Sequence, residues 1–272
     1  MANMKSKFTE FEGHKVHYWE GGSGFPILML HGVGPGTSIM GNFAPVMEPL
    51  AERFHIVAVD LIGFGESDRN KNEPFFDVEL WVRQAGAMLG LLPDGPAGII
   101  GHSMGGAMAL KVAARAARVS KVMTSCSVGV SYPITEALDA FWGMPSDPAD
   151  LRQTMMRMVY AGSALSDAMI DDRWRLLNKP GYPDYFGKLF AQPRQRFIDA
   201  AVVTEAEIAT IRADVMMLHG RDDRSCPPEQ TTMVLSRKFP AADVHLLGQC
   251  GHNLPRERTA AFLKHAFEFF GP

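Results

Sequence analysis

Short, mostly apolar runs recur in the first half of the chain and again near its end, at residues 26–30, 56–59, 97–100, 121–124, 215–218 and 244–247. Each is four or five residues long, too short for a helix. Consecutive apolar positions, without alternation, predict strands covered on both faces. The segments between them have a different period. Trp81, Ala85, Met88, Leu89 and Leu92 fall on one face of a helix, and helical patterns also cover 107–117 and 256–270. Strands alternating with helices predict an α/β fold, a mostly parallel, doubly wound sheet. Residues 131–207 break the pattern. They lack buried-strand runs, are rich in methionine, arginine and helix formers, and are interrupted at Pro145, Pro148, Pro180, Pro183 and Pro193. The expected organisation is a core of 1–130 and 208–272 with a helical lobe, 131–207, inserted as a cap. No internal repeat or low-complexity tract interrupts this scheme.

Composition narrows the setting. At 272 residues, 46% hydrophobic and 21% charged, the chain falls in the ordinary globular range and is long enough to bury a sizeable core. A formal net charge of −3 without a block of like charges points away from nucleic acid and anionic membranes. Cys126, Cys226 and Cys250 are an odd number with no close spacing, which argues against a disulfide framework or zinc knuckle and for reduced thiols in a cytoplasm. Met1–Lys7 runs into polar residues without the apolar stretch of a signal peptide. Neither metal nor organic cofactor is expected, because there is no H-E-x-x-H, no CxxC pair and no Walker loop. The expected partner is a small-molecule substrate; self-association is left open.

The candidate chemistry lies at the ends of the predicted strands. Gly101-His102-Ser103-Met104-Gly105 joins the 97–100 strand to an Ala-rich helix. A G-x-S-x-G sequence in that position forms a sharp turn, strained at the serine, that lifts its hydroxyl to the carboxyl edge of the sheet. Side chains at Gly101 and Gly105 would collide with neighbouring backbone. A serine hydroxyl needs a base, and the base needs a carboxylate to orient it. Leu218-His219-Gly220-Arg221-Asp222-Asp223 follows one late strand and Gly251-His252-Asn253 follows the last. His252 is the candidate base and Asp223 the preferred acid, with Asp222 capping the turn. His31-Gly32-Val33-Gly34-Pro35-Gly36 follows the 26–30 strand, so the N–H groups of Val33 and Met104 are candidates to hold a tetrahedral oxyanion. Asp60, ending the 56–59 strand, reads as loop scaffolding. Arg173 shares a helical stripe with Leu165, Met169 and Leu176, so its guanidinium must reach solvent or find an anion.

With these parts in this order, the chain resembles the α/β-hydrolase superfamily over its whole length, and within it the meta-cleavage product hydrolases. That family hydrolyses a C–C bond of 2-hydroxy-6-oxo-hexa-2,4-dienoates in aromatic degradation. The resemblance is carried by His31-Gly-Val-Gly-Pro-Gly36 followed by Asn42, by Gly220-Arg-Asp-Asp223-Arg with Pro227, and by Leu247-Gly-Gln-Cys250-Gly-His252 with Glu257, Arg258 and Phe262. In the lobe, Asp172-Arg173-Trp174-Arg175 and Arg194-Gln-Arg196-Phe-Ile-Asp199 look like segments of the family's cap. The resemblance implies an acyl-enzyme on Ser103, a substrate carboxylate on Arg173, with Arg194 or Arg196 as substitutes, and Asn42 orienting the dienoate. Gly32, His102 and Asn253 would border the substrate. Two positions depart from the family: His102 stands where Asn is common, as in ordinary esterases, and Asn253 where Trp is common. A carboxylesterase, or an enzyme with both activities, fits these residues as an alternative. A ligand-sensing protein that keeps the fold for binding is a third. Ser103 excludes the haloalkane dehalogenases and epoxide hydrolases, which need a carboxylate at the elbow.

Overall fold

The computed structural model describes residues 4–271, apart from the side chain of Ser163. Its eight-stranded sheet comprises β1 (Met4–Phe11), β2 (His14–Gly21), β3 (Pro26–Leu30), β4 (His55–Val59), β5 (Ala97–His102), β6 (Val119–Ser125), β7 (Asp214–Gly220) and β8 (Asp243–Leu247), in the order β1-β2-β4-β3-β5-β6-β7-β8. From β4 to β8 across the sheet every pairing is parallel; β1 and β2 form an antiparallel hairpin whose second strand joins β4 antiparallel. The expected runs at 26–30, 56–59, 97–100, 121–124, 215–218 and 244–247 all fall inside β3 to β8. The hairpin carries no such run. β1 is an edge strand exposed along most of its length, and β2 mixes buried His14 and His17 and exposed Lys15 with its buried Val16 and Tyr18, so neither carries an uninterrupted apolar run.

Successive side chains of a strand point to opposite faces, and this divides the interior in two. Leu28, Leu30, Val57, Val59 and Ile99 pack beneath α2 (Val78–Met88) and α3 (Met104–Arg115). Ile27, Met29, Ile56, Ala58 and Ile100 pack against α1 (Ile39–Ala51) and the C-terminal helix. Each of these fully buried Leu, Ile, Val or Met side chains stabilises the fold by about 1.5–3 kcal/mol.

Between β6 and β7 lie α4 (Glu136–Phe141), α5 (Pro148–Met156), α6 (Asp167–Leu177), α7 (Tyr182–Leu189), α8 (Gln195–Ala200) and α9 (Glu205–Thr210). Thr135, Asp147, Ser166 and Thr204 cap α4, α5, α6 and α9, each accepting a first-turn N–H. The boundary expected at 207 falls inside α9. Glu207 there completes a capping box with Thr204 and pairs with Lys111 and Arg115 of α3, so this helix packs on the core.

After α10 (Thr232–Ser236), the helix expected over 256–270 is two elements, α11 (Leu254–Glu257) and α12 (Thr259–Phe270). The Glu257 carboxylate turns back to accept the N–H groups of Tyr160, Gly251 and Asn253, and the helix breaks at Arg258. The helix expected from 107 starts three residues earlier, at Met104. Among the described residues no helix is long and apolar enough to cross a membrane.

Candidate active site

Ser103 sits between β5 and α3 with φ 56° and ψ −121°, a left-handed backbone that a non-glycine residue adopts only under constraint. The constraint is close packing. A Cβ at Gly101 would lie 2.3 Å from the Gly105 carbonyl oxygen, and one at Gly105 would lie 2.4 Å from that of Leu30. The turn therefore presses against β3, and the Ser103 hydroxyl emerges at the carboxyl edge of the sheet.

The loop after β8 brings His252 to it. His252 Nε2 is 2.9 Å from Ser103 Oγ, and His252 Nδ1 is 2.6 Å from Asp223 Oδ2. Asp223 and His252 are both buried. Burial opposes ionisation of Asp223, but His252, His219 and the hydrogen bonds they make hold its carboxyl far below the usual range. Its other oxygen accepts from Ser225 N, Ser225 Oγ and Cys226 N. As an ionised acceptor it takes the Nδ1 proton of His252, which leaves Nε2 free to accept from Ser103. Asp222 turns the other way, its carboxylate accepting the Cys250 N–H at 3.3 Å. The His252 N–H donates to the Met158 carbonyl of the helical lobe at 2.7 Å.

His219 is a member of this cluster that the sequence analysis did not assign. It is fully buried, with Nε2 3.1 Å from Asp223 Oδ2 and 2.8 Å from the Cys226 carbonyl, and Nδ1 2.6 Å from Thr232 Oγ1. Two acceptors on Nε2 make it the donor, so Asp223 Oδ2 receives protons from two imidazoles. Its signal in the sequence is the four-residue step to Asp223, visible only once Asp223 is singled out.

A narrow cavity of about 30 Å³ opens onto Ser103. Gly32, Val33, Asn42, His102, Arg173, His252 and Asn253 all line it, beside apolar Phe141, Met155, Met158 and Val159. Val33 belongs to the loop after β3, and Met104 opens α3, where the first N–H groups of a helix have no intrahelical acceptor. Asn42 Oδ1 accepts the Gly32 N–H at 3.0 Å and so fixes the loop. His31 lies outside the cavity; it accepts from Leu61 N through Nε2 and bonds the Gly32 carbonyl through Nδ1, both scaffold contacts. His102 is buried, with Nδ1 3.0 Å from Ser125 Oγ and its ring centroid 5.0 Å from that of His252; burial and then the nearby His252 keep it neutral. The Oδ1 of Asn253 is buried without a partner.

Among the described residues Arg173 is the one arginine in the cavity wall. It is 4% exposed, donates from Nη1 to the Pro35 carbonyl (2.8 Å) and Thr37 Oγ1 (3.2 Å), and its Nε has no partner. Among the described residues no carboxylate pairs with it. Burial, and then the neighbouring Arg256, push its pKa down to about 9, which leaves it charged at neutral pH. The two substitutes are engaged elsewhere. Arg194 bonds Asp139 and the Phe190 carbonyl, and Arg196 lies over the Phe197 ring and bonds the Ala191 carbonyl. Two trios of potential ligand atoms for a cation, Cys126–His219–Asp223 and Asp223–Cys226–His252, share the carboxylate that already serves His252. The three cysteines are free and buried.

Comparison with known proteins identifies the family. The alpha/beta hydrolase family matches residues 27–265. The chain is 34% identical to the 2-hydroxymuconate semialdehyde hydrolase of Pseudomonas sp. (strain CF600), over 94% of this chain and 90% of that one. It is 33% identical to the 2-hydroxy-6-oxo-2,4-heptadienoate hydrolase of Pseudomonas putida, over 94% and 93%. Among solved structures, a mutant of the meta-cleavage product hydrolase CumD superposes with a TM-score of 0.90 at 30% identity over 97% of each chain. The 2-hydroxy-6-oxo-6-phenylhexa-2,4-dienoate hydrolase of Rhodococcus sp. strain RHA1 superposes with 0.87 at 27% identity over 99% of each. The chain belongs to the alpha/beta hydrolase family and stands, within it, among the meta-cleavage product hydrolases.

Proposed function

We propose that this chain is a serine hydrolase that cleaves the C5–C6 bond of 2-hydroxy-6-oxo-hexa-2,4-dienoates through an acyl-enzyme on Ser103. The observation that carries the reading is Arg173, a buried cation with no carboxylate partner in the wall of the Ser103 cavity. A buried unpaired charge is costly, and an anionic substrate would relieve that cost where a neutral ester would not.

The dienol first becomes its keto tautomer, the C2 hydroxyl losing a proton and C5 gaining one, with Arg173 holding the carboxylate and His252 moving the proton. Ser103 Oγ then attacks the C6 carbonyl as His252 Nε2 takes its proton. Val33 and Met104 N–H groups hold the tetrahedral oxygen, a contribution of about 3 kcal/mol per donor. The C5–C6 bond breaks towards C5, giving a dienolate that its own conjugation stabilises and that the His252 proton quenches. Water, deprotonated by His252, releases the acyl group and returns the proton to Ser103. The products are 2-hydroxypenta-2,4-dienoate and a carboxylic acid. Helices α4 to α8 serve as the lid over this chamber, α9 staying with the core, and the free, buried thiols suit a cytoplasmic setting.

The test is kcat/KM on dienoates bearing hydrogen, methyl or phenyl at C6, beside a neutral aryl ester. Dienoate hydrolysis is expected, and ester turnover without dienoate loss refutes the proposal. The narrow cavity beside Phe141, Met155 and Val159 should favour hydrogen or methyl over phenyl by roughly 10–200-fold. The two relatives at 34% and 33% identity are named for a semialdehyde and a heptadienoate, which carry those small groups. Arg173→Met should lower kcat/KM for a dienoate by about 10²–10³-fold and leave the neutral ester within about threefold. Equal losses on both would make Arg173 structural. Ester hydrolysis is a second reading, favoured by the His102 imidazole that stands beside Ser103 in the cavity wall. It needs the same nucleophile, with an alcohol leaving and no tautomerisation.

A further inference from the structure

A second serine, histidine and aspartate are joined in the same atom order on the other side of Arg173. Ser6 of β1 pairs across the hairpin with Trp19, and Phe8 pairs with His17 of β2. Ser6 and His17 are thus diagonal neighbours on one face of the hairpin. His17 Nε2 is 2.9 Å from Ser6 Oγ, and His17 Nδ1 is 2.8 Å from Asp60 Oδ2. The corresponding distances around His252 are 2.9 and 2.6 Å. His17 and Asp60 are buried, while Ser6 is exposed.

The proton positions follow from the carboxylate. Burial opposes the charge on Asp60, but His17, then His31, and the N–H groups of Ile39 and Glu66 together keep its pKa below the usual value. An ionised Asp60 takes the Nδ1 proton of His17, so Nε2 is the acceptor and the Ser6 hydroxyl donates to it.

This relay opens on a cavity of about 310 Å³, roughly ten times the volume beside Ser103. Arg173 lines both cavities, and Arg256 joins it in the second. Among the described residues neither arginine is in an ion pair; Arg256 is held by the carbonyls of Met40 and Gly41. The acids there are Asp60, Asp172 at the rim, and Glu66, which Arg175 and Lys179 already neutralise.

We propose that Ser6, His17 and Asp60 form a second serine-nucleophile site that takes small activated esters whose acyl part carries a carboxylate. Ser6 Oγ bonds the ester carbonyl carbon as its proton passes to His17 Nε2. The ester C–O bond then breaks, and the alcohol leaves with that proton. Water attacks the acyl-Ser6, giving a proton to His17; the acyl C–O bond breaks, the acid leaves and Ser6 Oγ recovers the proton. Net, ester and water give acid and alcohol. Arg173 and Arg256 attract the carboxylate of the acyl part.

The experiment uses the full chain and a fluorophosphonate, which phosphonylates a reactive serine with loss of fluoride. The unaltered chain should take up two equivalents, and Ser103→Ala one, located on the Ser6 peptide by mass spectrometry. Ser103→Ala with Ser6→Ala should take up none. Ser103→Ala with His17→Asn keeps an N–H donor for Asp60 but has no base, and its labelling should slow by about 10²–10⁴-fold. In Ser103→Ala, p-nitrophenyl hydrogen glutarate should also be hydrolysed at least tenfold faster than p-nitrophenyl acetate. No label on Ser6, labelling that ignores His17→Asn, or no preference for the anionic ester would overturn the proposal. Apart from the two-equivalent count on the unaltered chain, the readouts on Ser6 are made without Ser103, so they stand apart from the fate of the dienoate reading.

Discussion

Ser103→Ala should lower kcat on the dienoate by about 10⁵–10⁶-fold, with the far-UV spectrum and Tm close to those of the unaltered chain. In the proposed mechanism the acyl group bonds to this hydroxyl oxygen, which alanine lacks. His252 would keep its bond to Asp223 but lose the hydroxyl partner of Nε2. The residual rate would come from the proposed oxyanion donors and Arg173 acting on bound substrate, with water as the nucleophile. Folding should be unharmed, because alanine lacks only the side-chain oxygen and the Gly101 and Gly105 contacts still hold the backbone of the turn. Substrate should therefore still bind, and a slow spectral change to the keto form without product release would place the block after tautomerisation. A kcat within tenfold of the unaltered chain would remove Ser103 from the mechanism.

Asp223→Asn should cost about 10⁴-fold in kcat. The amide can present an N–H to His252 Nδ1, which moves the ring proton to Nε2, where it can no longer accept from Ser103. The pH profile gives a separate reading. Burial disfavours a cationic His252, but the Asp223 charge and hydrogen bond outweigh it and hold the imidazole well above its usual pKa. The base must be neutral to act, so kcat/KM of the unaltered enzyme should rise with pH through a midpoint above the ordinary imidazole value of about 6.5. In Asp223→Asn the burial remains and the counter-charge is gone, so the acid limb of the residual activity should move to lower pH. A limb that stays in place would mean that Asp223 does not set the basicity of His252.

Much of this arrangement was legible because the fold delivers its functional loops in strand order. Val33, Ser103, Asp223 and His252 each follow a buried run, and such runs are visible as uninterrupted apolar residues. A preferred spacing favours Asp223 over Asp222 as the acid, and the structure turns the two carboxylates to different partners. What escaped depended on contacts between distant segments. β1 buries too little to leave an apolar trace. His219 is a histidine in a run of buried residues until its ring meets Asp223. Ser6 and His17 meet only through the register of a hairpin that was itself not anticipated. The break at Arg258 comes from a carboxylate folding back on three N–H groups, a tertiary demand that overrides the helical period.

The bond from the His252 amide to the Met158 carbonyl has a consequence for timing. Met158 belongs to the segment between β6 and β7, so any movement that carried this segment off the core would take the acceptor from the backbone of the proposed base. The His252 amide proton then becomes exchangeable with solvent. Its hydrogen–deuterium exchange rate would be a clock for such an opening, read at the residue proposed as the base. A bound dienoate analogue that holds the lobe closed should slow that clock, while amides in the centre of β5 keep their own pace.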